Sequence, residues 1–532
     1  MKSNSIEITL KTENLEAAKS FIDAKLKRRG ISQEIRAESL DVFDALFRHM
    51  TSQGYGEDTT VKVKTKNDSG EIHINLGFEG KRFIPVDEDA GPVSAEDTVL
   101  KEYEDLYDCS YQDGYNSIDI VVSRSFRKKL FLNFAGILTA VVIFISLSAV
   151  FGPAQCAKLG KEIAFPLVKL FANAMLMIGA PVTFFSLLKN FTDIYIISEK
   201  NSASQRIQVK TIITSVIAII LAIAAGLVIA EIIGGQLRQL GGAGVPLETP
   251  TSKELIESLM PSSIFVPFET LSPFPLIFLT VIVVYAFCTV GKYFDKLKTA
   301  VDVCFTLFSK MLNVVMAAFP FFCVMALLCP LLEGGFDNLL NLVYIVALCT
   351  VSMVLMVAFY LIRLIAGGVK LGPFGKHLPA FLKESFNIGS VIDAVPYMIR
   401  FCVKNYGMER KRITDKFTIL AQLNLDGNCY IIMLMGMMFV FMMVDQVSWY
   451  HVISIGIIVL FLSLGAPNQP GSVLIGTLII ALFLKADALI PIALCLEVFF
   501  GWAQNLINAA GDIVTVAIEE KQVWDEPRGE GA

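Results

Sequence analysis

The sequence predicts an all-α polytopic membrane protein with eight transmembrane helices and two re-entrant helical hairpins, preceded by a small soluble α+β domain. Of the 532 residues, 54% are hydrophobic and 18% are charged, and the mean hydropathy is +0.60. Soluble domains carry about 25% charged residues, so this balance is typical of a chain that lies in lipid. The apolar residues are also unevenly distributed, because long apolar stretches begin only at Leu130.

The first 125 residues form the soluble part. Residues 15–27 and 35–50 have helical spacing, whereas 60–66 and 71–76 alternate as strands. A helix followed by strands is weakly similar to the histidine-kinase-type ATPase fold, but no glycine-rich nucleotide motif accompanies it, and its role stays open. The acidic runs of this part indicate a solvated surface and, with a net charge of -5, argue against a nucleic-acid partner.

Eight later segments are long enough to cross a bilayer core, which takes about 20 residues. The first follows a basic cluster at residues 124–129. The predicted spans are 130–151, 163–190, 208–235, 275–291, 299–328, 339–368, 413–444 and 487–520.

Two further apolar regions are too short in each half to span. Residues 373–408 are interrupted around Ser390, and residues 449–485 are interrupted by GAPNQPG at 465–471. Unpaired backbone groups at such tips are tolerated only where protein encloses them, so both regions are predicted to be re-entrant hairpins. A pair of interrupted segments is also the best sequence indication of a transporter binding site.

The distribution of lysine and arginine predicts the orientation. Basic residues collect in the loops that are cytoplasmic if the N-terminus is inside, and few lie on the other side. Both termini, including residues 1–125 and a tail at 521–532, are therefore expected in the cytoplasm of a cell that carries the protein in its plasma or inner membrane.

The seventh span contains an ionisable group and two amides within an apolar helix, at Asn424, Asp426 and Asn428. A bare charge there would cost several kcal/mol unless it were paired or bound an ion. Asn424 and Asp426 point in different directions on a regular helix, so a shared ion requires local unwinding, which Gly427 would permit. An Asp that pairs with a lysine or caps a helix end is the alternative.

The last span carries a polar stripe on one helical face, made by Glu497, Gln504, Asn505, Asn508 and Asp512. Carboxylate and amide oxygens without histidine or cysteine suit an alkali cation better than a transition metal. A polar seam between helices is the alternative. Since no nucleophile and base lie together, the sequence does not indicate an enzyme.

The hairpin tips supply the remaining candidates. Ser390, Asp393 and Arg400 flank the first tip, where pairing of Asp393 with Arg400 and contact with a solute are both open. The second tip, from Gly465 through Pro470 to Gly471, could present backbone groups and act as a mobile gate. A plain loop is its alternative.

Over residues 130–520 the sequence resembles the dicarboxylate/amino acid:cation symporter family, which includes the glutamate transporters. Residues 169–191 look like its second helix, and 260–271 look like the stretch before its fourth. NLDGN at 424–428 is similar to the family's NMDGT, GAPNQPG at 465–471 to its second hairpin tip, and QNLINAAGD at 504–512 to its RTMVNVTGD.

This resemblance implies a fold, a coupling ion and an assembly. Asn424, Asp426, Asn508 and Asp512 match the family's sodium ligands, so sodium is the expected coupling ion and no other cofactor is expected. A threonine of a further cation site aligns with Ala218, with Thr214 and Ser215 nearby. Homotrimers are implied, with a scaffold at 126–370 and a transport core at 371–520.

The same resemblance implies a changed solute. The family's arginine that grips an acidic side chain falls on Gln504, and its aspartate that holds an amino group falls on Gly501. An acidic amino acid is therefore disfavoured, because nothing planar and bidentate remains for a second carboxylate. The solute-binding candidates are Ser390, Asp393, Asn428, Gly465, Pro470, Gly471, Glu497, Gln504 and Asn505.

The sequence thus indicates a cation-coupled symporter of a small polar solute, an amino acid or carboxylate other than an acidic amino acid. Membrane lipid and the solute are its expected partners. A membrane sensor that signals through residues 1–125 is the alternative, and an anion channel is a third interpretation.

Overall fold

The chain divides into two compact units, Met1–Lys129 and Leu130–Ala532. The computed structural model describes residues 5–31, 33–56, 58–68, 71–85, 99–100, 103, 106–112, 114–123, 126–200, 202–241, 262–270, 273–289, 291–444, 447–465 and 471–521. Of the predicted features, Pro470, residues 260–261 and the tail beyond residue 521 lie outside these ranges.

The first unit is a five-stranded antiparallel sheet packed against two helices. Its elements are β1 (Ser5–Thr9), α1 (Thr12–Arg28), α2 (Gln33–Ser52), β2 (Thr60–Asp68), β3 (Glu71–Glu79), β4 (Tyr107–Gln112) and β5 (Tyr115–Ser123). The strand order is β1-β2-β3-β5-β4. Strand β2 shows why the sheet forms, since Val61 and Val63 are buried while Lys62 and Lys64 are exposed. The small α+β region is as predicted, with three strands added to the two read from the sequence.

An acidic residue of this unit gives a pH-dependent prediction. The carboxylate of Asp44 lies 3.1 Å from Lys19 Nζ and 2.7 Å from Arg48 Nε. Burial alone would raise the pKa of Asp44, but hydrogen bonds and charge from Arg48 and Lys19 lower it below its usual 3.8. The resulting stabilisation is present above pH 4 or so, where the unfolded carboxyl is ionised, and is lost as the pH falls through the lower folded pKa.

We therefore expect Asp44→Asn to lower the free energy of unfolding of this unit by about 1 kcal/mol at pH 7. Urea unfolding of a fragment that contains residues 1–125 measures it, because the unit has its own core. The two proteins should converge in stability as the pH falls below the folded-state pKa of Asp44. The same change at exposed Asp41, on the same helix, is the control. An equal loss for both variants, or a difference that persists in acid, would contradict the assignment.

The second unit is helical throughout the residues described. Its α-helices are α3 (Phe126–Val150), α4 (Pro153–Leu159), α5 (Phe165–Lys200), α6 (Ser202–Gly241), α7 (Val266–Thr270), α8 (Pro273–Thr289), α9 (Phe294–Ala317), α10 (Phe319–Ser352), α11 (Val354–Ala366), α12 (Leu371–Ile388), α13 (Val391–Tyr406), α14 (Arg410–Leu423), α15 (Asp426–Met443), α16 (Trp449–Leu464), α17 (Ser472–Phe483), α18 (Ile490–Phe500) and α19 (Ala503–Glu519). Short π- and 3₁₀-helical segments join some of them. In the described ranges, six helices are long and apolar enough to cross a membrane, or seven if the bent pair at the end is one span.

Four interruptions divide helices in the second half of this unit. Gly389 adopts φ 75°, which favours glycine, and ends α12, after which Ser390 caps α13. Helices α14 and α15 are separated by Asn424 and Leu425, and α16 and α17 by residues 465–471. The last helical pair bends by 47° between α18 and α19. These interruptions free backbone and side-chain groups in an otherwise apolar interior.

Helix α15 is the centre of the unit, and the candidate span Arg410–Met443 that contains it is the most enclosed of the candidate spans, with 94% of an 18-residue window buried. Its apolar residues contact α6, α16, α17 and α19. Its sequence is hydrophobic on all sides, as expected for a helix that is covered on all sides by protein. The polar groups at its N-terminus are therefore held far from bulk water.

A network of opposite charges joins α5 and α9. Lys189 Nζ lies 3.0 Å from Asp193 and 3.6 Å from Asp302, while Lys298 Nζ lies 2.7 Å from Asp193 and 2.9 Å from Asp302. Gln422 of α14 adds a hydrogen bond of 3.3 Å to Asp193. Each of these charges therefore contacts two of the opposite sign.

Candidate functional site

Two buried residues of the predicted cation site, Asn424 and Asp426, lie at the break between α14 and α15. Asn424 ends α14 with φ -81° and ψ 84°, and Leu425 follows with φ -110° and ψ 35°. Gly427 was expected to permit this break, and that reason is wrong, because Gly427 lies within α15. The chain leaves helical geometry two residues earlier, so that Asn424 and Asp426 contact different partners.

Asp426 is fully buried and accepts three hydrogen bonds from hydroxyl groups. Its Oδ1 accepts from Thr214 Oγ1 and Ser215 Oγ, both at 3.0 Å. Its Oδ2 accepts from the Tyr360 hydroxyl at 3.2 Å, and Tyr360 also donates to the Ile507 carbonyl at 3.1 Å. A carboxylate with 0% exposure is thus surrounded by neutral oxygen groups from α6 and α11.

Asp512 is the second fully buried carboxylate, and only part of it is satisfied. Its Oδ1 accepts from Asn424 Nδ2 at 2.6 Å, a short bond of the kind that a charged acceptor forms. Its Oδ2 has no hydrogen-bond partner, and neither has the Oδ1 of Asn424. Two adjacent side chains therefore each hold one buried oxygen that nothing in the described chain satisfies.

Asn508 connects this arrangement to the start of α15. Its Oδ1 accepts from the Gly427 amide at 2.7 Å, and its Nδ2 donates to Asn428 Oδ1 at 2.9 Å. A Cβ atom at position 427 would collide with the Gln504 carbonyl and lie 2.9 Å from Asn508 Oδ1. The glycine is needed because α15 and α19 approach each other this closely.

Unsatisfied buried acceptors are expensive, since a polar group without a partner costs about 1–3 kcal/mol and a charged one costs more. A cation within reach of both orphaned oxygens would satisfy them together. The available donors are carboxylate, amide, hydroxyl and backbone oxygens, which are hard ligands suited to alkali and alkaline-earth ions. The residues present therefore fit sodium, and the carboxylates of Asp426 and Asp512 supply the negative charge.

The polar stripe on the last two helices has a second group of partners. Glu497 is buried, and its carboxylate lies near the backbone amides of Gly471 and Leu474 at the start of α17. Its Oε2 has no hydrogen-bond partner among the described residues. A side chain at Gly501 would collide with the Glu497 carboxylate, so this carboxylate fills the space above Gly501.

Gln504 is likewise attached to the start of α17. Its Nε2 lies 2.8 Å from Ser472 Oγ, and its Oε1 accepts from the same hydroxyl at 3.1 Å. Glu497 and Gln504 thus connect the N-terminus of α17 with α18 and α19.

The first hairpin tip is bound to the last helix through Asn505. Asn505 Nδ2 donates to the Gly389 carbonyl at 2.8 Å, and its Oδ1 has no hydrogen-bond partner in the described ranges. Ser390 is buried and accepts from the Asp393 amide at 3.4 Å, whereas the Asp393 side chain is exposed. Of the predicted residues at this tip, Ser390 is therefore enclosed near Asn505 and Asp393 is not.

The described part of the second tip packs on α5 and α9. Gly465 is buried so closely against Leu187 and Thr183 that a Cβ atom there would lie 2.5 Å from Leu187 Cγ. Asn190 Nδ2 donates to the Leu464 carbonyl at 2.9 Å. Gly471 has φ 94°, a left-handed conformation that only glycine adopts easily, and it faces Met316.

Four partners of these residues were not assigned as such from the sequence. The alignment put Ala218 at the further cation position, but Thr214 and Ser215, one turn earlier on α6, contact Asp426. Tyr360 and Ser472 were not singled out. A hydroxyl group inside an apolar span is the only sequence signal that could have indicated them, and it is a weak one because such groups often bond their own helix.

Comparison with models of known protein families identifies the family of this chain. The sequence matches the family model described as the sodium:dicarboxylate symporter family over residues 134–522, which is most of the chain. No curated protein matches the sequence.

Proposed function

Because the chain belongs to the sodium:dicarboxylate symporter family, we propose that it couples sodium entry to the uptake of a small polar solute. The family consists of transporters, so the protein is a multi-pass membrane transporter and not an enzyme. The coupling ion at each site, the solute and the arrangement in the membrane are parts of the proposal.

The cation site rests chiefly on the two orphaned oxygens of Asn424 and Asp512. Sodium there would be held by these side chains together with oxygens of Asn508 and the interrupted backbone near residue 424. Asp426, with Thr214, Ser215 and Tyr360, forms a second set of oxygens. Two buried carboxylates in separate hydrogen-bond networks can bind more than one cation.

The solute side is supported by Glu497, Gln504 and Asn505. Among the described residues no basic side chain pairs with Glu497, and its carboxylate lies near the backbone amides of Gly471 and Leu474. A buried carboxylate of this kind favours a solute that carries a positive group, such as the ammonium of an amino acid. Gln504 offers no charge for a second carboxylate, so we propose an amino acid or carboxylate other than an acidic amino acid.

The remaining solute candidates line the same region. Ser390 directly follows Gly389, whose carbonyl accepts a hydrogen bond from Asn505. The Nδ2 group of Asn428 has no hydrogen-bond partner among the described residues. Gly465 and Gly471 end the described parts of the second tip, between which Pro470 falls. We propose that these groups enclose the solute when both hairpins are held against the last helix.

We propose eight spans and two re-entrant hairpins for the transmembrane part, with both termini and residues 1–125 in the cytoplasm. The transport core at 371–520 would move against a scaffold at 126–370, in a homotrimer. Asn505 at the first tip, and Glu497 with Gln504 at the second, are the contacts that opening of either hairpin must break.

Uptake into proteoliposomes tests this function. Purified protein should accumulate a labelled neutral amino acid or monocarboxylate when sodium is outside and potassium inside, and should not do so with the gradient removed. A screen of solutes by thermal stability, in sodium and in potassium, selects the solute to label. Solute binding without any uptake would overturn symport and favour a sensor, and current without coupled solute would favour a channel.

The solute preference gives a separate prediction. Gln504→Arg places a planar, permanently charged donor beside Glu497, so we expect acidic amino acids or dicarboxylates to gain at least about tenfold in affinity relative to neutral solutes. Competition against the labelled solute measures the ratio. Gln504→Lys is the control, because a lysine adds charge without a bidentate fork. If both variants leave the ratio unchanged, Gln504 does not face the solute.

A further inference from the structure

The two buried carboxylates have hydrogen-bond donors but little positive charge nearby. Asp426 and Asp512 both have 0% exposure, and their side-chain partners are the neutral groups of Thr214, Ser215, Tyr360 and Asn424. Neutral donors stabilise a carboxylate without cancelling its charge. In a low-dielectric interior the remaining charge has to be compensated by a cation or removed by protonation.

Arg363 is a basic residue of α11 that contacts α19, the helix that carries Asp512. It follows Tyr360 by one turn on α11, and its Nη2 donates to Thr515 Oγ1 at 2.9 Å. Thr515 in turn follows Asp512 by one turn on α19. The guanidinium carbon lies 6.0 Å from the ring centre of Tyr360, whose hydroxyl donates to Asp426. Arg363 thus lies next to Tyr360, which donates to Asp426, and it contacts Thr515, which lies one helical turn from Asp512.

The hydrogen bonding of Arg363 is incomplete. An arginine offers five N–H groups, yet its Nη1 is buried and has no hydrogen-bond partner in the described part of the chain. Other basic residues around the end of α19 contact carboxylates directly, as Lys210 does with Glu519 and Arg412 with Glu520. Arg363 differs from them because its contacts are a hydroxyl group and aromatic rings.

We infer that Arg363 is a built-in cation of the sodium site, which supplies fixed positive charge to Asp426 and Asp512 and so reduces the number of sodium ions they bind. This inference rests on the proposed sodium coupling. A guanidinium close to the site repels an entering sodium ion, and at an effective dielectric constant of about 20 a unit charge some 10 Å away changes affinity about tenfold.

Sodium titrations of the full-length protein test this assignment, with thermal stability as the readout and potassium or choline replacing sodium to keep ionic strength constant. Arg363→Met removes the charge and keeps an apolar stem over the rings. We expect its half-saturating sodium concentration to fall about tenfold and its sodium dependence to become steeper, as one more ion binds. Arg363→Lys keeps the charge and should stay within about threefold of the wild type. Arg206→Met, at an exposed position of α6, is the matched control.

A purely structural link between α11 and α19 would give a different result. Arg363→Met would then lose stability equally in sodium and potassium, with the half-saturating concentration and slope unchanged, and this outcome would overturn the inference. If that variant does not fold, Arg363→Gln allows the same comparison, because it lacks the charge but keeps two N–H donors. The tracer ratio of sodium to solute in proteoliposomes is an independent count, expected to rise by about one ion.

Failure of the inference is distinguishable from failure of sodium coupling. A wild type that ignores sodium while Arg363→Met responds would overturn coupling and support Arg363 as a replacement for the ion. No sodium response in either protein would overturn both.

Discussion

Asp512→Asn is expected to abolish sodium-dependent uptake while leaving the protein folded. The change removes the negative charge from a fully buried group and places an amide next to the amide of Asn424, which now donates to Asp512 at 2.6 Å. Removing one partner from a buried charge pair costs about 3 kcal/mol or more, so sodium affinity should fall at least about 100-fold. Sodium titration by thermal stability measures the affinity, and proteoliposome uptake measures the coupling.

Asp487→Asn is the matched control for this prediction. Asp487 is half exposed and lies 2.5 Å from Lys169, at the beginning of the last helical segment. Its replacement should leave the sodium response within about twofold of the wild type, because an exposed ion pair is worth little. Unchanged sodium affinity in Asp512→Asn would show that the two orphaned oxygens do not bind the coupling ion.

The second large effect is expected from Gly427→Ala. A methyl group at this position collides with the backbone carbonyl of Gln504 and crowds Asn508 Oδ1, so either α15 or α19 must shift. Overpacking typically costs about 1–3 kcal/mol. The same shift moves the side-chain oxygen of Asn508 away from the Gly427 N–H group. We therefore expect sodium affinity to fall at least about tenfold, together with thermal stability.

Gly456→Ala separates this contact from the general cost of losing a glycine. The nearest atom to a Cβ at Gly456 is Ile219 Cγ2 at 3.7 Å, an ordinary van der Waals distance. Because alanine also favours helix, this control should be neutral or slightly stabilising. If Gly427→Ala behaved like Gly456→Ala, the close approach of α15 and α19 would not determine the cation site.

The helix interruptions could be predicted because their signals are local. Asn387 to Ser390 contains a glycine before a capping serine, and the end of α12 at Ile388 with the start of α13 at Val391 follows from that chemistry. The apolar halves around residues 465–471 were recognisable by length alone. In the same way, the polar face of Asn508 and Asp512 was visible from helical periodicity.

The partners across helices could not be predicted, because they depend on helix rotation and on distances set by tertiary packing. Ala218 and the pair Thr214 and Ser215 lie on one face of α6, one turn apart, so an alignment alone could not decide which of them meets Asp426. Similarly, Gly427 stood out as a residue that could unwind the helix, although the glycine is required by the approach of a neighbouring backbone. Sequence alone does not distinguish these two uses of glycine.

The network of Lys189, Asp193, Lys298 and Asp302 has a consequence for how this sequence can evolve. Each charge contacts two of the opposite sign, so replacing any one by a neutral residue leaves a partner uncompensated in a partly buried place. Losing one basic and one acidic residue together restores neutrality. Descendants of this chain should therefore keep all four charges or change them in complementary pairs, and a single substitution should persist only where a second has followed it.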